Sequence, residues 1–505
     1  MPTIARTDQQ KTGFAIGPSI PIVPQFDVRI ELTEIRRLDA IARRFLSDEP
    51  ALNDTSVFGP GVTSGLTDAP RVLIGDHSEI SLMDSAEQSL FGYRIGLLAG
   101  SGDVLALAQA RSLDFEHYLK HLLGVSSFDV LEVAEPVAQV SGSLPYRCLS
   151  TPHLLTKLLD VARNGHGVCL VPHITTGHAW QLGSALAAQS GAPVSVCGPP
   201  PRLSRRVNDK LWFAACVRDV LGQSSVPPSF RAYGPAALAG EVKHLVSRFD
   251  KIVVKVPDSA GSAGNLPLES RRLRRHSAAE LSRILRLLLH GLGWRDRYPL
   301  LVEVWETAAL MSPSIQIWIP QADEGLPVVE GIYEQIVEHE EGVFIGATRA
   351  ELPSESGQRL AEEAVKLAYV FQRLGYFGRC SFDVLLSGTD LDTAEVHWIE
   401  CNGRWGGVSV PMTLANRILT DPSAWNPVIV QKESEALEPQ PFARVLERFQ
   451  DMLFDPKRPD DGIVFLTPTG LEQGRAMHFM TLARSLEHAK ALARRAAGML
   501  ERERE

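Results

Sequence analysis

Two apolar strands that run into charge constrain this chain more than any other feature. Within Arg379–Pro411, RCSFDVLLSGTDLDTAEVHWIECNGRWGGVSVP, the runs Ser381–Leu386 and Glu395–Cys401 read as strands joined by the turn-rich Ser387–Thr393. Side chains alternate along a strand, so Val396, Trp398, Glu400, Asn402 and Arg404 are expected on one face and His397, Ile399 and Cys401 on the other. Asp383, on the neighbouring strand, is expected to face the same space as Glu400. A plain hairpin with a solvated carboxylate leaves Glu400 unexplained, because the strand it ends is of buried type and buried carboxylates want a partner or a metal. Two carboxylates and an amide oxygen form a hard-oxygen set suited to Mg²⁺ that also bridges phosphates. Arg404 follows two positions later, where it can stabilise charge on a transferring phosphoryl group, and Gly406-Gly407 leaves room for a reacting atom.

A second segment points to the same chemistry. In Lys251–Asn265, KIVVKVPDSAGSAGN, a β-branched strand ends at Lys255 and enters a loop of small residues. Ser259, Gly261, Ser262 and Gly264 would let backbone N–H groups approach phosphate oxygens, with Lys255 adding positive charge. No Gly-Lys-Ser/Thr opens the next helix, so this is not a P-loop; that helix is announced by the capping box Ser277-Ala-Ala-Glu280. Taken alone, the segment also reads as an ordinary flexible loop after a strand.

The rest of the chain sets the frame. Its 505 residues suggest about three domains. A net charge of −9, from 51 basic and 60 acidic residues, argues against nucleic acid or an anionic membrane as the main partner. Cys148, Cys169, Cys197, Cys216, Cys380 and Cys401 are scattered without a C-x-x-C pair, which reads as packed thiols in a reducing compartment. No apolar run is long enough to span a bilayer; the best, Phe91–Ala110, is broken by Arg94 and Asp103. Met1–Lys11 lacks the apolar core of a signal peptide, and the expected location is the cytoplasm.

Residues 1–28 read as a flexible tail. From 29 to 200, strand-like runs (Arg71–Gly75, Tyr93–Leu98, Phe128–Val133, Gly167–Val171, Pro193–Cys197) alternate with helical stretches at Phe115–Leu123, Leu154–Ala162 and His178–Ala188. That alternation implies a parallel, Rossmann-like sheet. Pro199-Pro200-Pro201 marks a boundary; a helix from Asp209 to Leu221 follows, and mixed α and β patterns continue over 201–430. Residues 431–505 read as two strands, Ile463–Leu466 and Arg475–Phe479, and a helix from Leu486.

Taken together and in this order, the segments resemble the ATP-grasp superfamily over roughly Val207–Ile418. The resemblance implies α/β and α+β architecture: a Rossmann-like pre-ATP-grasp domain followed by a two-lobed ATP-grasp fold. It implies that Lys210 and Lys255 hold the phosphates of ATP. It places Glu303, the backbone near Val304, and Glu306 at a hinge against adenine. Asp383, Glu400 and Asn402 match its Mg²⁺ ligands, with Mn²⁺ as an alternative ion, and Arg404 matches its catalytic arginine. A narrower resemblance, carried by LVPHITTGHAWQLGSALAAQSGAPVSVCGPP and GIVFLTPTGLEQGRAMHFM, is to pheganomycin-type peptide ligases. Those join an amino acid to a peptide through an acyl phosphate, so the implied partners are a carboxylate and an amine, and a homodimer is implied as well. The chain departs from that pattern at His173, where an aromatic residue is expected, and at Asn208-Asp209, in place of a small residue and Ser. These departures bear on the acceptor and not on the ATP site.

Other features carry less. His166, Cys169, His173 and His178 lie close in sequence, but a strand and loop explain them more simply than zinc. Cys401 is expected to pack in the core, and Arg271–Arg275 to form a solvated face, with contact to phosphates or an acidic substrate as its alternative. Gly100-Ser-Gly102 is too short for a dinucleotide fingerprint. Two further functions stand beside the ligase: phosphotransfer to a hydroxyl, and nucleotide binding without catalysis.

Overall fold

The computed structural model describes residues 14–16, 20–82, 89–125, 127–133, 142–259, 264–338 and 343–501. Among these, four sheets form. A short antiparallel hairpin, β1 (Phe14–Ile16) and β2 (Ile20–Ile22), comes first. The expected tail is therefore packed from residue 20 onward: Ile20 and Ile22 are buried, and Gln25 N–H donates to Val329 O at 3.0 Å. Their apolar side chains give this stretch a reason to dock.

The N-terminal sheet contains β3 (Val62–Ser64), β4 (Arg71–Ile74), β5 (Val104–Leu107), β6 (Asp129–Glu132), β7 (Val168–Pro172) and β8 (Val194–Val196). It is all-parallel, in the order β3-β8-β7-β4-β5-β6. Strands β4, β5, β7 and β8 are buried along their whole length, as expected of a sheet covered by helices on its faces. One expected strand is not a strand. Tyr93–Leu98 lies within a buried 3₁₀ segment, Gly92–Leu98, and Val104–Leu107 takes the place in the sheet. Two glycines allow this close passage: a Cβ on Gly92 would come within 2.4 Å of the Gln109 side chain, and one on Gly96 within 2.8 Å of Leu105.

A small antiparallel sheet follows, from β9 (Ser229–Ala232), β10 (Lys251–Lys255), β11 (Asn265–Glu269) and β12 (Leu300–Val304), in the order β11-β10-β12-β9. Ile252, Val254, Val302 and Val304 turn one face onto the helices Pro235–Val246 and Ala278–Gly291. Alternation then aims Lys251, Val253, Lys255, Leu301 and Glu303 the other way.

The large sheet has nine strands: β13 (Ala309–Met311), β14 (Pro313–Ile319), β15 (Val328–Glu338), β16 (Val343–Arg349), β17 (Gly378–Ser387), β18 (Glu395–Asn402), β19 (Asn426–Glu433), β20 (Gly462–Phe465) and β21 (Ala476–Ala483). Its order is β13-β17-β14-β15-β16-β19-β21-β20, with β18 on the free side of β17. The helix Ser354–Arg373 buries Leu360, Ala361, Ala364, Leu367, Ala368 and Phe371 in the same core as Ile315, Ile317, Phe382 and Trp398. These residues recur at three- and four-residue steps, the period of an amphipathic helix. No helix among the described residues is long and apolar enough to cross a membrane.

Candidate active site

The site begins with an irregularity. Along β17 and β18, Ser381 pairs with Asn402, Phe382 with Cys401 and Asp383 with Glu400; Val384 then pairs with Trp398. Ile399 is the extra residue of a β-bulge, and the alternation changes phase there. Val396 and Trp398 therefore point into the core with Cys401, and His397 shares the cleft face with Glu400 and Asn402. This corrects the unbroken alternation expected for Val396, Trp398 and Glu400, and for His397 with Cys401. Asp383, Glu400 and Asn402 do share one face, as expected. Arg404 lies past the end of the strand, on the loop.

Asp383 is held by Ser314 Oγ at 2.7 Å and by Asn402 Nδ2 at 2.9 Å. Burial, followed by the Glu400 carboxylate, pushes Asp383 up to about 7. Burial also opposes charge on Glu400, but Lys210 Nζ lies 2.9 Å from Glu400 Oε2. Lys210, then Lys255 and Arg404, hold Glu400 below the usual carboxylate range. Two facing carboxylates, one of them reluctant to ionise, and an amide oxygen are a donor set that fits Mg²⁺.

The lysines arrive from two elements. Asp209 caps the helix Lys210–Leu221, its Oδ1 accepting from Leu211 N at 2.8 Å and Trp212 N at 3.3 Å. That cap fixes Lys210 as the first helical residue, with its N–H donating to Pro257 O at 3.1 Å and its Nζ to Ser259 O at 2.7 Å. Lys255 ends β10 and forms a buried ion pair with Glu303 of β12. Glu303 thus spends its charge on Lys255 inside the cleft. Past Lys255 the loop closes on itself through Val256 N–H to Gly264 O at 2.9 Å. A Cβ on Gly264 would lie 2.0 Å from Ser259 Oγ, so only glycine fits there. Gly261 and Ser262 lie outside the described residues.

Arg404 is set by a residue that sequence reasoning noted only as a departure. Asn208 Oδ1 accepts from Arg404 NH1 at 2.6 Å and from Gly403 N at 3.0 Å. Arg404 NH2 donates to Asn402 Oδ1. Trp405 N–H donates to His173 O at 3.0 Å, tying this loop to the N-terminal domain. Beneath it, Arg379 forms a buried ion pair with Glu330, and its guanidinium lies 5.1 Å from the Trp405 ring centre. Ser314, which orients Asp383, had no signal in the sequence.

The hinge side is more open. A cavity of about 1130 Å³ is lined by Phe230, Lys251, Val304, Trp305, Glu306 and His397, among others. His397 Nδ1 lies 3.2 Å from Glu306 Oε1. Of the residues expected near a base, Val304 and Glu306 line this cavity and Glu303 does not. Elsewhere, Arg271, Arg272, Arg274 and Arg275 are exposed, and Arg274 caps Val246 O at 2.7 Å. His173 packs against His77 with the rings tilted while His178 bonds to Glu79 at 2.9 Å, so the supposed zinc residues do not converge.

The architecture matches known proteins. The model of the family described as a pre-ATP-grasp domain matches residues 92–188. A solved N5-carboxyaminoimidazole ribonucleotide synthetase (PurK) in complex with ADP superposes with a TM-score of 0.51, at 12% identity over 87% of this chain and 99% of that one. Biotin carboxylase of Campylobacter jejuni gives 0.50 at 14%, over 85% of this chain and 91% of that one. N5-carboxyaminoimidazole synthase of Aspergillus clavatus, with ADP and 5-aminoimidazole ribonucleotide, gives 0.50 at 14%, over 86% and 99%. The fold is ATP-grasp, with a pre-ATP-grasp domain before it. A comparison with curated protein sequences finds no match.

Proposed function

We propose that this ATP-grasp protein is an ATP-dependent carboxylate–amine ligase that forms an amide through an acyl phosphate. The observation that carries the reading is convergence. Two lysines from separate elements, Lys210 and Lys255, act on the same carboxylate that is register partner of Asp383 and neighbour of Asn402 and Arg404. Lys210 and Lys255 would bind the phosphates of ATP, helped by backbone N–H groups of the loop around Ser259 and Gly264. Val304 and Glu306, on the wall of the hinge cavity, would receive the base. Asp383, Glu400 and Asn402 would hold Mg²⁺, which supplies charge neutralisation at the phosphates. Arg404 would leave Asn402 for the phosphoryl oxygens as negative charge develops on them.

The substrate carboxylate attacks the γ-phosphorus and ADP leaves. The amine nitrogen then attacks the acyl carbon and phosphate leaves, so one water's worth of atoms is lost from the two substrates. The loop over Lys255 would keep water from the acyl phosphate. Our finer reading is that the carboxylate belongs to an amino acid and the amine to an amino acid or peptide, in a cytoplasmic homodimer. The six cysteines are free and buried, in keeping with a reducing compartment.

The test is Mg·ATP with a panel of amino acids, N-acetyl amino acids and short peptides. Hydroxylamine traps the acyl phosphate as a hydroxamate, and mass spectrometry identifies the amide. Hydroxamate with a carboxylate alone, and amide with both partners, are expected. A stable phosphorylated hydroxyl product instead would establish phosphotransfer. Tight Mg·ATP binding with no ADP from any combination would leave nucleotide binding without catalysis.

A further inference from the structure

Beyond Gly406-Gly407 lies a second group of buried polar side chains that the ATP chemistry does not use. Arg94, on the 3₁₀ segment of the N-terminal domain, is 4% exposed. Its NH1 donates to Gln431 Oε1 at 2.9 Å, while Nε and NH2 have no partner among the described residues. No carboxylate among the described residues pairs with it. Its guanidinium lies 4.8 Å from the Phe91 ring centre, Phe91 stacks on His478 at 5.0 Å, and His77 lies 5.6 Å from Phe91. The His77 ring centre in turn lies 3.7 Å from that of His173, the rings tilted by 42°, and the His173 carbonyl holds Trp405 beside Arg404. A Cβ on Gly407 would lie 3.6 Å from Arg94 NH1 and 3.2 Å from Gln431 Oε1, so the group abuts the catalytic loop.

A buried guanidinium without an anion is an expensive arrangement. Two adjacent N–H donors, Nε and NH2, form the edge that grips a carboxylate in parallel hydrogen bonds. We propose that Arg94, with Gln431 beside it and Gly407 as its floor, is the subsite for a carboxylate of the organic substrate. The proposal rests on the ligase reading and deepens it by naming the group recognised. The imidazoles around it are uncharged at neutral pH: burial, then Arg94 and Arg404, push His77 down to about 3, and His173 and His478 lie well below the ordinary value. Arg94, pushed down to about 9 by burial, is therefore the charge that selects the ligand.

That carboxylate is either the one activated by ATP or a spectator on the amine substrate, and two arms separate them. Calorimetry on the full chain measures N-acetyl amino acids and free amino acids against their primary amides, for wild type, Arg94→Gln and Arg94→Lys, with Mg·ATP binding measured alongside. Wild type is expected to prefer acids, Arg94→Gln to lose that preference at least tenfold, and Arg94→Lys to keep part of it, all with equal Mg·ATP affinity. Hydroxamate formation by Arg94→Gln then assigns the source: lost, the subsite takes the activated carboxylate; retained with a raised KM for free-acid amines, it takes the spectator. Preference for acids undiminished in Arg94→Gln would overturn the proposal, as would a wild type that prefers no acid over its amide. Failure of wild type to bind Mg·ATP would count against the ligase reading alone, because the acid-against-amide comparison still decides the subsite.

Discussion

Two buried polar regions meet at the Arg404 loop, and they are balanced in opposite ways. In the cleft, cations meet carboxylates: Lys210 with Glu400, Lys255 with Glu303. Across the loop, Arg94 and the imidazoles of His77, His173 and His478 are buried beside an amide oxygen and aromatic rings, with nitrogens that have no partner among the described residues. The first region is neutralised by its own residues and must exchange partners to bind a nucleotide. The second is incomplete as it stands. A protein keeps an uncompensated buried charge against its own stability when something else completes it.

The largest effect expected from breaking this contrast is on chemistry. Glu400→Ala and Arg404→Ala should each lower hydroxamate formation by about a thousandfold or more, the scale of losing a group that meets charge only in the transition state. Circular dichroism and melting should show both variants folded. Near wild-type turnover by either would reject the site.

Stability should move in opposite directions in the two regions. Lys255→Met leaves Glu303 buried without a partner and should cost about 3 kcal/mol, recovered in large part by adding Glu303→Leu. Arg94→Met removes an unpaired charge and should raise the unfolding free energy by about 1–2 kcal/mol, seen as a higher urea midpoint. A loss of stability in Arg94→Met would mean that Gln431 and Phe91 already satisfy the guanidinium, and the contrast would collapse.

Acid should sharpen it. The unfolded chain protonates its histidines as pH falls through 6.5, while folded His77 resists until about 3. The unfolded state then binds more protons, so stability is full above that range and is lost as pH falls. Each such histidine should contribute about 1.4 kcal/mol per pH unit below 6.5. Urea midpoints at pH 7.5 and 5.5 should differ less in His77→Phe than in wild type. An unchanged difference would show that His77 titrates alike in both states.

Much of this was legible before the structure, for identifiable reasons. Lys210, Lys255, Glu400 and Asn402 announced themselves because each sits at the end of an apolar strand or the start of a helix, where chain direction and alternation limit where a side chain can go. The bulge at Ile399 was not legible, since one inserted residue leaves composition unchanged and reverses every face before it. Tyr93–Leu98 misled for a related reason: an apolar, β-rich run looks the same whether it lies in a sheet or packs across one, and the glycines that decide it act through contacts with residues outside the run, Gln109 and Leu105. Arg94 was noted only as a break in an apolar run. Its isolation depends on Gln431 and His478, more than 300 residues away, and no local pattern reports such a meeting.

The smallest effect concerns how the cleft's own pairing is positioned. Asp209 accepts from Leu211 and Trp212, which makes it the N-cap of the helix that carries Lys210. Asp209→Ala should cost about 1 kcal/mol, and Asp209→Ser should restore most of it, because a hydroxyl also caps. If the cap also aims Lys210 at Glu400, KM for Mg·ATP should rise in the alanine variant and recover in the serine variant. A stability loss with KM unmoved would mean that Glu400 and the Ser259 carbonyl hold the ammonium by themselves. The balance of the cleft would then be a property of its ion pairs alone, and the helix start would serve only the fold.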